Sequence, residues 1–289
     1  MTAKIIRIML CLSLALLLCA SALAEDPLAQ YRVTERKFDG NVICEICFSG
    51  FEVQSEEQQG RRDKRTGWLT KGAGGPPFCS IGPTTDYAEG IQGEFSIYRY
   101  SDEGDKDYWF SMDDHNTIPE ESGFDAPKAK TTVQQALELL SRLGVTDVEP
   151  VYFSALGSLQ GSAKCYKVVL RQTLNGLPVH WGQSVMKTQN DIIFNIADGC
   201  EAVVVYSDQD CLLNANGRFC DFMPIGPRTG TVSQAEAEAK FAQNGLTASK
   251  PEQCYFLSID GAYATATLAW RVANTYLSAL TGEWLQLGN

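Results

Sequence analysis

Residues 171–183 read Arg171-Gln172-Thr173-Leu174-Asn175-Gly176-Leu177-Pro178-Val179-His180-Trp181-Gly182-Gln183. The pair Asn175-Gly176 favours a tight turn, because both residue types tolerate the positive φ angles that two-residue hairpin turns need. On either side, over 165–170 and 179–185, apolar residues recur at strand spacing. The segment therefore predicts two strands joined by a short turn, with a further strand at 192–196.

A helix is predicted upstream of this hairpin and another downstream of it. Thr132 and the glutamine three residues later have the pattern of a capping box, an apolar stripe follows, and Gly144 ends the helix. Ser233 and Gly245 repeat the arrangement, and both lie 101 positions after their counterparts. The repeated order predicts two similar structural units.

Strands are predicted after both helices, at 151–156 and 165–170 after the first, and at 255–259, 268–272 and 276–287 after the second. The apolar face of a lone helix needs a sheet to cover it. The sequence thus predicts an α+β fold in which residues 131–224 and 231–289 each form one helix packed on an antiparallel sheet.

These two units resemble known families. The segment 171–183, with the strand, turn and 192–199 run after it, resembles the fungalysin/thermolysin propeptide module. The second unit resembles a PepSY domain, from Ser233-Gln234-Ala235-Glu236-Ala237 through Leu268-Ala269-Trp270-Arg271-Val272 to Ala279-Leu280-Thr281-Gly282-Glu283. The resemblance implies two cystatin-like modules that bind, restrain or help to fold an extracytoplasmic peptidase supplied by another chain. Modules of this kind also stand alone in extracytoplasmic proteins of unknown role, which are the closer likeness, and occur in membrane-tethered regulators of bacterial histidine kinases.

Residues 1–24 have the features of a signal peptide. Lys4 and Arg7 precede an apolar run over 8–20, and Ala22-Leu23-Ala24 is the small-x-small pattern that signal peptidases cut. The run is shorter than the roughly 20 residues of a spanning helix. We expect a secreted or extracytoplasmic protein with no stable membrane span after the leader is removed.

Residues 25–126 are predicted to be β-rich. Apolar side chains alternate over 42–48, which indicates a strand, and 95–100 and 107–112 are expected to form a hairpin. Between the predicted strand at 42–48 and this hairpin, residues 54–77 are polar and rich in glycine, which is typical of a mobile loop. Trp68 in this loop is a candidate contact for a binding partner.

Eight of the ten cysteines follow the leader: Cys44, Cys47, Cys79, Cys165, Cys200, Cys211, Cys220 and Cys254. An even number in an exported protein indicates disulfides, but the sequence leaves their connectivity open. Cys211 and Cys220 flank the turn-rich residues 214–217 and are the first pair we expect.

Cys44 and Cys47 have the spacing of a redox motif. In the predicted strand, residues three apart would face opposite sides of the sheet, which favours structural cysteines with separate partners. A thiol oxidoreductase that uses both cysteines and a metal knuckle that adds Cys79 remain as alternatives.

The composition gives little support for nucleic-acid binding or for zinc peptidase chemistry. The chain has 24 basic and 35 acidic residues, so its surface would repel a nucleic acid on average. Only two histidines occur, His115 and His180, far apart and without the helical spacing of a zinc peptidase. We predict no metal and no cofactor. Besides Trp68, the candidate binding residues are Arg171, Asn175 and His180.

The sequence therefore predicts an exported, non-enzymatic binding or regulatory protein. Its expected partner is another extracytoplasmic protein, and the resemblance favours a peptidase. A cell-envelope sensor or accessory protein that binds a small ligand or the cell wall, and a thiol oxidoreductase, are the alternatives.

Overall fold

The computed structural model describes residues 30–49, 61–62, 69–70, 78–83, 93–99, 117–158, 164–181, 200–226, 231–247, 249–260 and 263–285. These residues form a mixed α+β fold that consists mostly of strands, which confirms the predicted fold class at this level. Three helices lie in the described part of the chain, and the strands connect into one large mixed sheet.

The helices are α1 (Gly40–Phe48), α2 (Ala129–Arg142) and α3 (Gln234–Gln243). The first eight strands are β1 (Gln30–Glu35), β2 (Arg61–Arg62), β3 (Leu69–Thr70), β4 (Phe78–Pro83), β5 (Gly93–Tyr98), β6 (Thr117–Ser122), β7 (Val148–Ser158) and β8 (Lys164–Leu174). The others are β9 (Leu177–Trp181), β10 (Glu201–Ser207), β11 (Leu212–Pro224), β12 (Glu252–Asp260), β13 (Tyr263–Val272), β14 (Thr275–Ser278) and β15 (Trp284–Leu285).

The main path of the sheet runs β15-β14-β13-β12-β9-β8-β10-β11-β5-β4-β3-β2. Off this path, β1 pairs with both β11 and β13, and β7 lies between β6 and β8. Every described pair is antiparallel except β9 with β12, where Tyr255 lies opposite Val179 in a parallel register. The prediction of antiparallel sheets alone is therefore wrong for this pair. β9 and β12 lie far apart along the chain, and the long connection between them, which includes α3, allows them to pair in parallel.

Two large hydrophobic cores hold the helices against the sheet. In the first, Ile43 of α1 and Leu140 of α2 are buried with Phe95, Phe153 and Phe219 from the strands. The second core packs α3 and β1 against the strands of the C-terminal part, with the large buried side chains Phe241, Tyr255, Leu257 and Leu277. Full burial of each such side chain is worth about 1.5–3 kcal/mol, so both cores contribute strongly to stability.

Two strands pass from the first core to the second. β11 pairs with β5 as far as Phe219, and from Cys220 onward it pairs with β1. β8 pairs with β7 and β10, then turns through Asn175-Gly176 into β9. Asn175 and Gly176 have φ angles of 51° and 75°, which confirms the predicted turn.

Gln172 joins these two crossing strands. Its side chain is 2% exposed, its Nε2 donates to the Cys220 carbonyl at 2.7 Å, and its Oε1 accepts from the Cys220 N–H at 3.1 Å. The amide therefore satisfies both backbone polar groups of one buried residue, Cys220, as a neighbouring strand would. Its own N–H donates to the Cys200 carbonyl at 2.7 Å.

The strand predicted over 42–48 is wrong, because these residues form α1. Asp39 caps the helix by accepting from the N–H of Asn41 at 2.8 Å. Ile43, Ile46 and Cys47 are buried at i, i+3 and i+4, which is the spacing of one helical face. The apolar residues of this segment fit both the strand period of two and the helical period of 3.6, and the cap at Asp39 favours the helix.

The predicted helix ends are confirmed, but only one of the two capping boxes forms. Gly144 and Gly245 have φ angles of 78° and 76° just after α2 and α3. Ser233 and Glu236 make the reciprocal capping box at α3. The box at Thr132 is wrong: α2 begins three residues earlier, and the Thr132 hydroxyl donates to the Lys128 carbonyl inside the first turn.

In the N-terminal region, the segment predicted as a loop at 54–77 contains β2 and β3, so a continuous loop is wrong there. Both edges of β5 are paired, with β4 and β11, and the expected hairpin partner at 107–112 lies outside the described residues. The leader at 1–24 and the strand at 192–196 lie outside them too. Within the described parts of the chain, none of the helices has the length and apolar character needed to cross a bilayer.

Replacing Gln172 with leucine keeps the volume of the side chain but leaves the N–H and carbonyl of Cys220 buried without partners. Each such group costs about 1–3 kcal/mol, so we expect Gln172→Leu to lower the free energy of unfolding by roughly 2–4 kcal/mol. Chemical denaturation measures this. The matched control is Gln134→Leu on the exposed face of α2, for which a change within about 0.5 kcal/mol is expected. Equal losses in both variants would contradict the role of Gln172.

Candidate functional site

Arg171, a predicted binding residue, is engaged in an ion pair within the fold. Its Nε and Nη2 donate to the same Oε1 of Glu201, at 3.2 and 2.9 Å. The two residues lie directly opposite each other on β8 and β10 and are half-buried. Arg171 therefore links two strands of the first core, and its role in binding stays a prediction.

Asn175 lies at the turn between β8 and β9. Its Nδ2 donates to the hydroxyl of Tyr31 at 2.6 Å and to that of Tyr255 at 3.4 Å. Asn175 thus connects β1 and β12 to the turn. It also lines a polar cleft of about 360 Å³ between the cores, together with Arg36, which donates to the Gly144 carbonyl at 2.7 Å.

His180 is buried on β9, and its ring lies near two groups of the second core. Nη1 of Arg271 lies 3.3 Å from Nε2 of His180, and the ring of Tyr276 is 5.8 Å away between centroids. Burial, and then the positive charges of Arg171 and Arg271, lower the pKa of His180 to about 3. The imidazole is therefore neutral at ordinary pH and accepts a hydrogen bond from Arg271.

Cys44 and Cys47 do not have separate partners, as the strand prediction required. Three apart on α1, they lie on the same side of the helix and both interact with Cys79 of β4. The sulfurs of Cys44 and Cys79 are 3.9 Å apart. Hydrogen bonding to Cys47, followed by burial, raises the pKa of the Cys79 thiol.

These three thiols occupy the middle of α1 and the neighbouring strand, rather than a helix N-terminus. A thiolate is stabilised chiefly at a helix N-terminus or beside a cation, and here the pKa of Cys79 moves the other way. Among the described residues, no group of three or more His, Cys, Asp or Glu side chains is arranged to hold a metal ion.

The expected pair of Cys211 and Cys220 is wrong. Cys211 is exposed at the turn before β11, whereas Cys220 is buried near the far end of that strand. Nine residues of extended chain separate their Cα atoms by on the order of 25 Å, beyond the roughly 7 Å that a disulfide can span. The turn residues 214–217 that suggested the pair lie inside β11, in register with β10 and β5.

A mixed polar and apolar cleft of about 370 Å³ lies between α1 and α2. Ile46 and Leu139 form its apolar floor, and the turn between β10 and β11 closes one end. Its polar rim comes from these side chains: Arg99, Gln135, Glu138, Arg142, Tyr206 and Asp210. We call it the α1–α2 cleft.

Charges of both signs surround the α1–α2 cleft and are partly paired with neighbours. Arg142 lies 3.3 Å from Glu45, and Lys128 lies 2.9 Å from Asp210. Glu138 accepts from Gln134 at 2.9 Å. In contrast, Oε1 of Gln135 is buried and has no hydrogen-bond partner among the described residues.

Burial, and then the negative charge of Glu138, raise the pKa of Tyr206, which keeps its hydroxyl protonated as a donor. The cleft therefore offers donors and acceptors side by side. An orphaned acceptor beside hydroxyl and guanidinium donors is suited to a ligand that carries both kinds of group, such as a polypeptide backbone.

The sequence predicted none of the residues that line this cleft as a binding residue. Their elements are separated by long stretches of chain, and the assignment of 42–48 as a strand removed α1 from consideration. A helix cap at Asp39 was the local signal that could have revealed it. Trp68, the remaining predicted contact, lies outside the described residues.

A comparison with protein-family models finds no match, and a search of the curated proteins finds no relative. The resemblance to propeptide and PepSY modules therefore remains a prediction from the residues that carry it.

The buried neutral imidazole of His180 predicts a dependence of stability on pH. The unfolded chain binds a proton below about pH 6.5, but the folded protein does so only near pH 3. Because the unfolded state binds more protons in this window, stability falls as the pH falls. Relative to His180→Gln, the wild-type protein should lose about 1.4 kcal/mol of unfolding free energy per pH unit below roughly pH 6.

Urea denaturation at several pH values measures this slope. His115→Gln removes the other histidine and is the matched control, which should keep the wild-type slope. A slope that disappears in His115→Gln and survives in His180→Gln would reverse the assignment.

Proposed function

We propose that this protein is an exported, non-enzymatic binding protein that holds a short segment of another extracytoplasmic protein in the α1–α2 cleft. The observation that carries the proposal is the orphaned Oε1 of Gln135, buried in a cleft whose rim also offers donors. A buried acceptor without a partner costs free energy, and rotation of the Gln135 side chain into the cleft would let a bound N–H group remove that cost.

The size of the cleft favours a short segment of chain. A volume of about 370 Å³ lies at the lower end of the roughly 300–1,000 Å³ of typical binding pockets. Tyr206 can donate to a carbonyl, Gln135 can accept from an N–H, and Ile46 and Leu139 can contact an apolar side chain. Specificity would come from the charges of Glu138 and Arg142.

The fold assignment that goes with this function is two cystatin-like modules. The first comprises α2 with β7, β8, β10 and β11, and the second comprises α3 with β12 to β15. This assignment is supported by the residues that resemble the propeptide and PepSY families. It favours an extracytoplasmic peptidase as the partner, restrained or assisted in trans.

A charge reversal at Glu138 tests the cleft. The position lies on the rim, so Glu138→Lys changes the charge without entering the core, and it adds a cation one turn from Arg142. We expect the affinity for the captured partner to fall roughly tenfold or more. The matched control is Glu238→Lys on α3, because Glu238 accepts from Gln234 at 3.0 Å just as Glu138 accepts from Gln134 at 2.9 Å.

The measurement begins with immobilised protein and the extracytoplasmic fraction of its native culture, followed by mass spectrometry of what is retained. Binding constants and peptidase inhibition are then measured with the purified partner and both variants. Equal binding by wild type, Glu138→Lys and Glu238→Lys would contradict the assignment of the cleft. Retention of a small ligand or a cell-wall fragment, with no protein, would favour the envelope sensor instead.

One observation favours the second candidate, a thiol oxidoreductase: three thiols converge at Cys44, Cys47 and Cys79. The raised pKa of Cys79 opposes it, because the thiolate is the reactive form. We therefore expect wild type and Cys44→Ser to show the same low rate in an insulin-reduction assay. A wild-type rate well above that of Cys44→Ser would establish the oxidoreductase and displace the binding proposal.

A further inference from the structure

Cys200 and Cys220 are held next to each other at the point where the chain crosses between the two cores. Both side chains are 0% exposed, and their sulfurs are 3.9 Å apart. Cys200 directly precedes β10 with a φ angle of 62°, and Cys220 lies in β11 at the first position that pairs with β1.

One residue determines the placement of both cysteines. The backbone N–H of Gln172 donates to the Cys200 carbonyl, and the Gln172 side chain binds both backbone groups of Cys220. Two independent sets of hydrogen bonds from one residue therefore bring the two cysteines together. Their proximity does not depend on an attraction between the thiols.

The other described cysteines do not compete for this pair. Cys165 and Cys254 lie in two smaller apolar clusters that contain no second cysteine among the described residues. Cys211 is exposed at the other end of β11, and Cys47 and Cys79 lie in the first core. Within the second core, Cys200 and Cys220 have only each other within reach.

We propose that Cys200 and Cys220 form a disulfide in the exported protein, which locks the crossing of β8, β10 and β11. The two thiols lose two protons and two electrons as the bond between the sulfurs forms. The electrons reduce the disulfide of an extracytoplasmic thiol oxidant to two thiols. Rotation about the Cα–Cβ bonds brings the sulfurs from 3.9 Å to the roughly 2.05 Å of the bond.

The timing of this reaction follows from burial. In the folded protein, burial and the neighbouring Cys200 thiol raise the pKa of Cys220 well above its ordinary value, so the reactive thiolate is scarce. Oxidation therefore occurs while β10 and β11 are still assembling and an oxidant can reach the sulfurs. The completed disulfide is shielded from reductants.

Peptide mapping tests the connectivity directly on the exported wild-type protein. Alkylation without reduction, followed by digestion with trypsin and a glutamate-specific protease, places Cys200 in residues 188–201, Cys211 in 202–218 and Cys220 in 219–228. We expect a cross-linked pair of 188–201 with 219–228. Alkylated Cys200 and Cys220, or a link from either to another cysteine, would overturn the proposal.

Thermal unfolding provides a second readout that does not depend on mapping. The disulfide closes a loop of about 20 residues, and we expect protein that has been unfolded, reduced and refolded with dithiothreitol to have a Tm roughly 5–10 °C below that of the oxidised protein. Cys200→Ala/Cys220→Ala should lose this sensitivity to dithiothreitol, and Cys165→Ala, which removes a buried cysteine elsewhere, should keep it. Equal sensitivity in wild type and the double variant would contradict the lock.

Discussion

The side chain of Gln172 binds the backbone N–H and carbonyl of Cys220, at the position where β11 changes its neighbouring strand. At Cys220, β11 leaves the sheet of the first core and joins β1 in the second, so its backbone groups lose their previous neighbour. Burial of the Cys220 N–H and carbonyl without partners would cost several kcal/mol, and the amide of Gln172 removes that cost. The two cores can share strands because this one position is satisfied by a side chain.

Residues near Gln172 also link separate strands through their side chains. Arg171 binds Glu201 across the β8–β10 pair, and Asn175 binds the hydroxyls of Tyr31 and Tyr255 from the turn. The segment that carries the family resemblance thus holds strands from both cores together. The polar groups of Arg171, Gln172 and Asn175 are engaged within the fold, whereas the polar groups around the α1–α2 cleft are available to a partner in our proposal.

The α1–α2 cleft exists because two helices cover one sheet. Ile46 of α1 and Leu139 of α2 both line the cleft, together with residues of the turn between β10 and β11. α1 comes from the N-terminal region, and α2 follows some eighty residues later. The N-terminal residues thereby supply half of the candidate binding site as well as part of the first core.

The sequence by itself determined what depends on neighbouring residues. It predicted the turn at Asn175-Gly176, the capping box at Ser233 and the glycine that ends each of α2 and α3, because backbone conformation at these positions follows from the residue and its closest neighbours. It placed His180 in a strand as a candidate binding residue, whereas the burial that keeps the imidazole neutral became visible only in the fold. Over 42–48, helical and strand periodicities competed, and the local pattern alone pointed to the wrong one.

Only the tertiary structure decided which distant residues meet. The approach of Cys200 to Cys220 and the parallel pairing of β9 with β12 depend on strand register, and the convergence of Cys44, Cys47 and Cys79 depends on where α1 packs against β4. Register is set by the packing of side chains on both faces of the sheet, which no short window of sequence contains. The extended conformation of β11 explains why Cys211 and Cys220, close along the chain, stay apart, since Cys211 precedes the strand and Cys220 lies nine residues further along it.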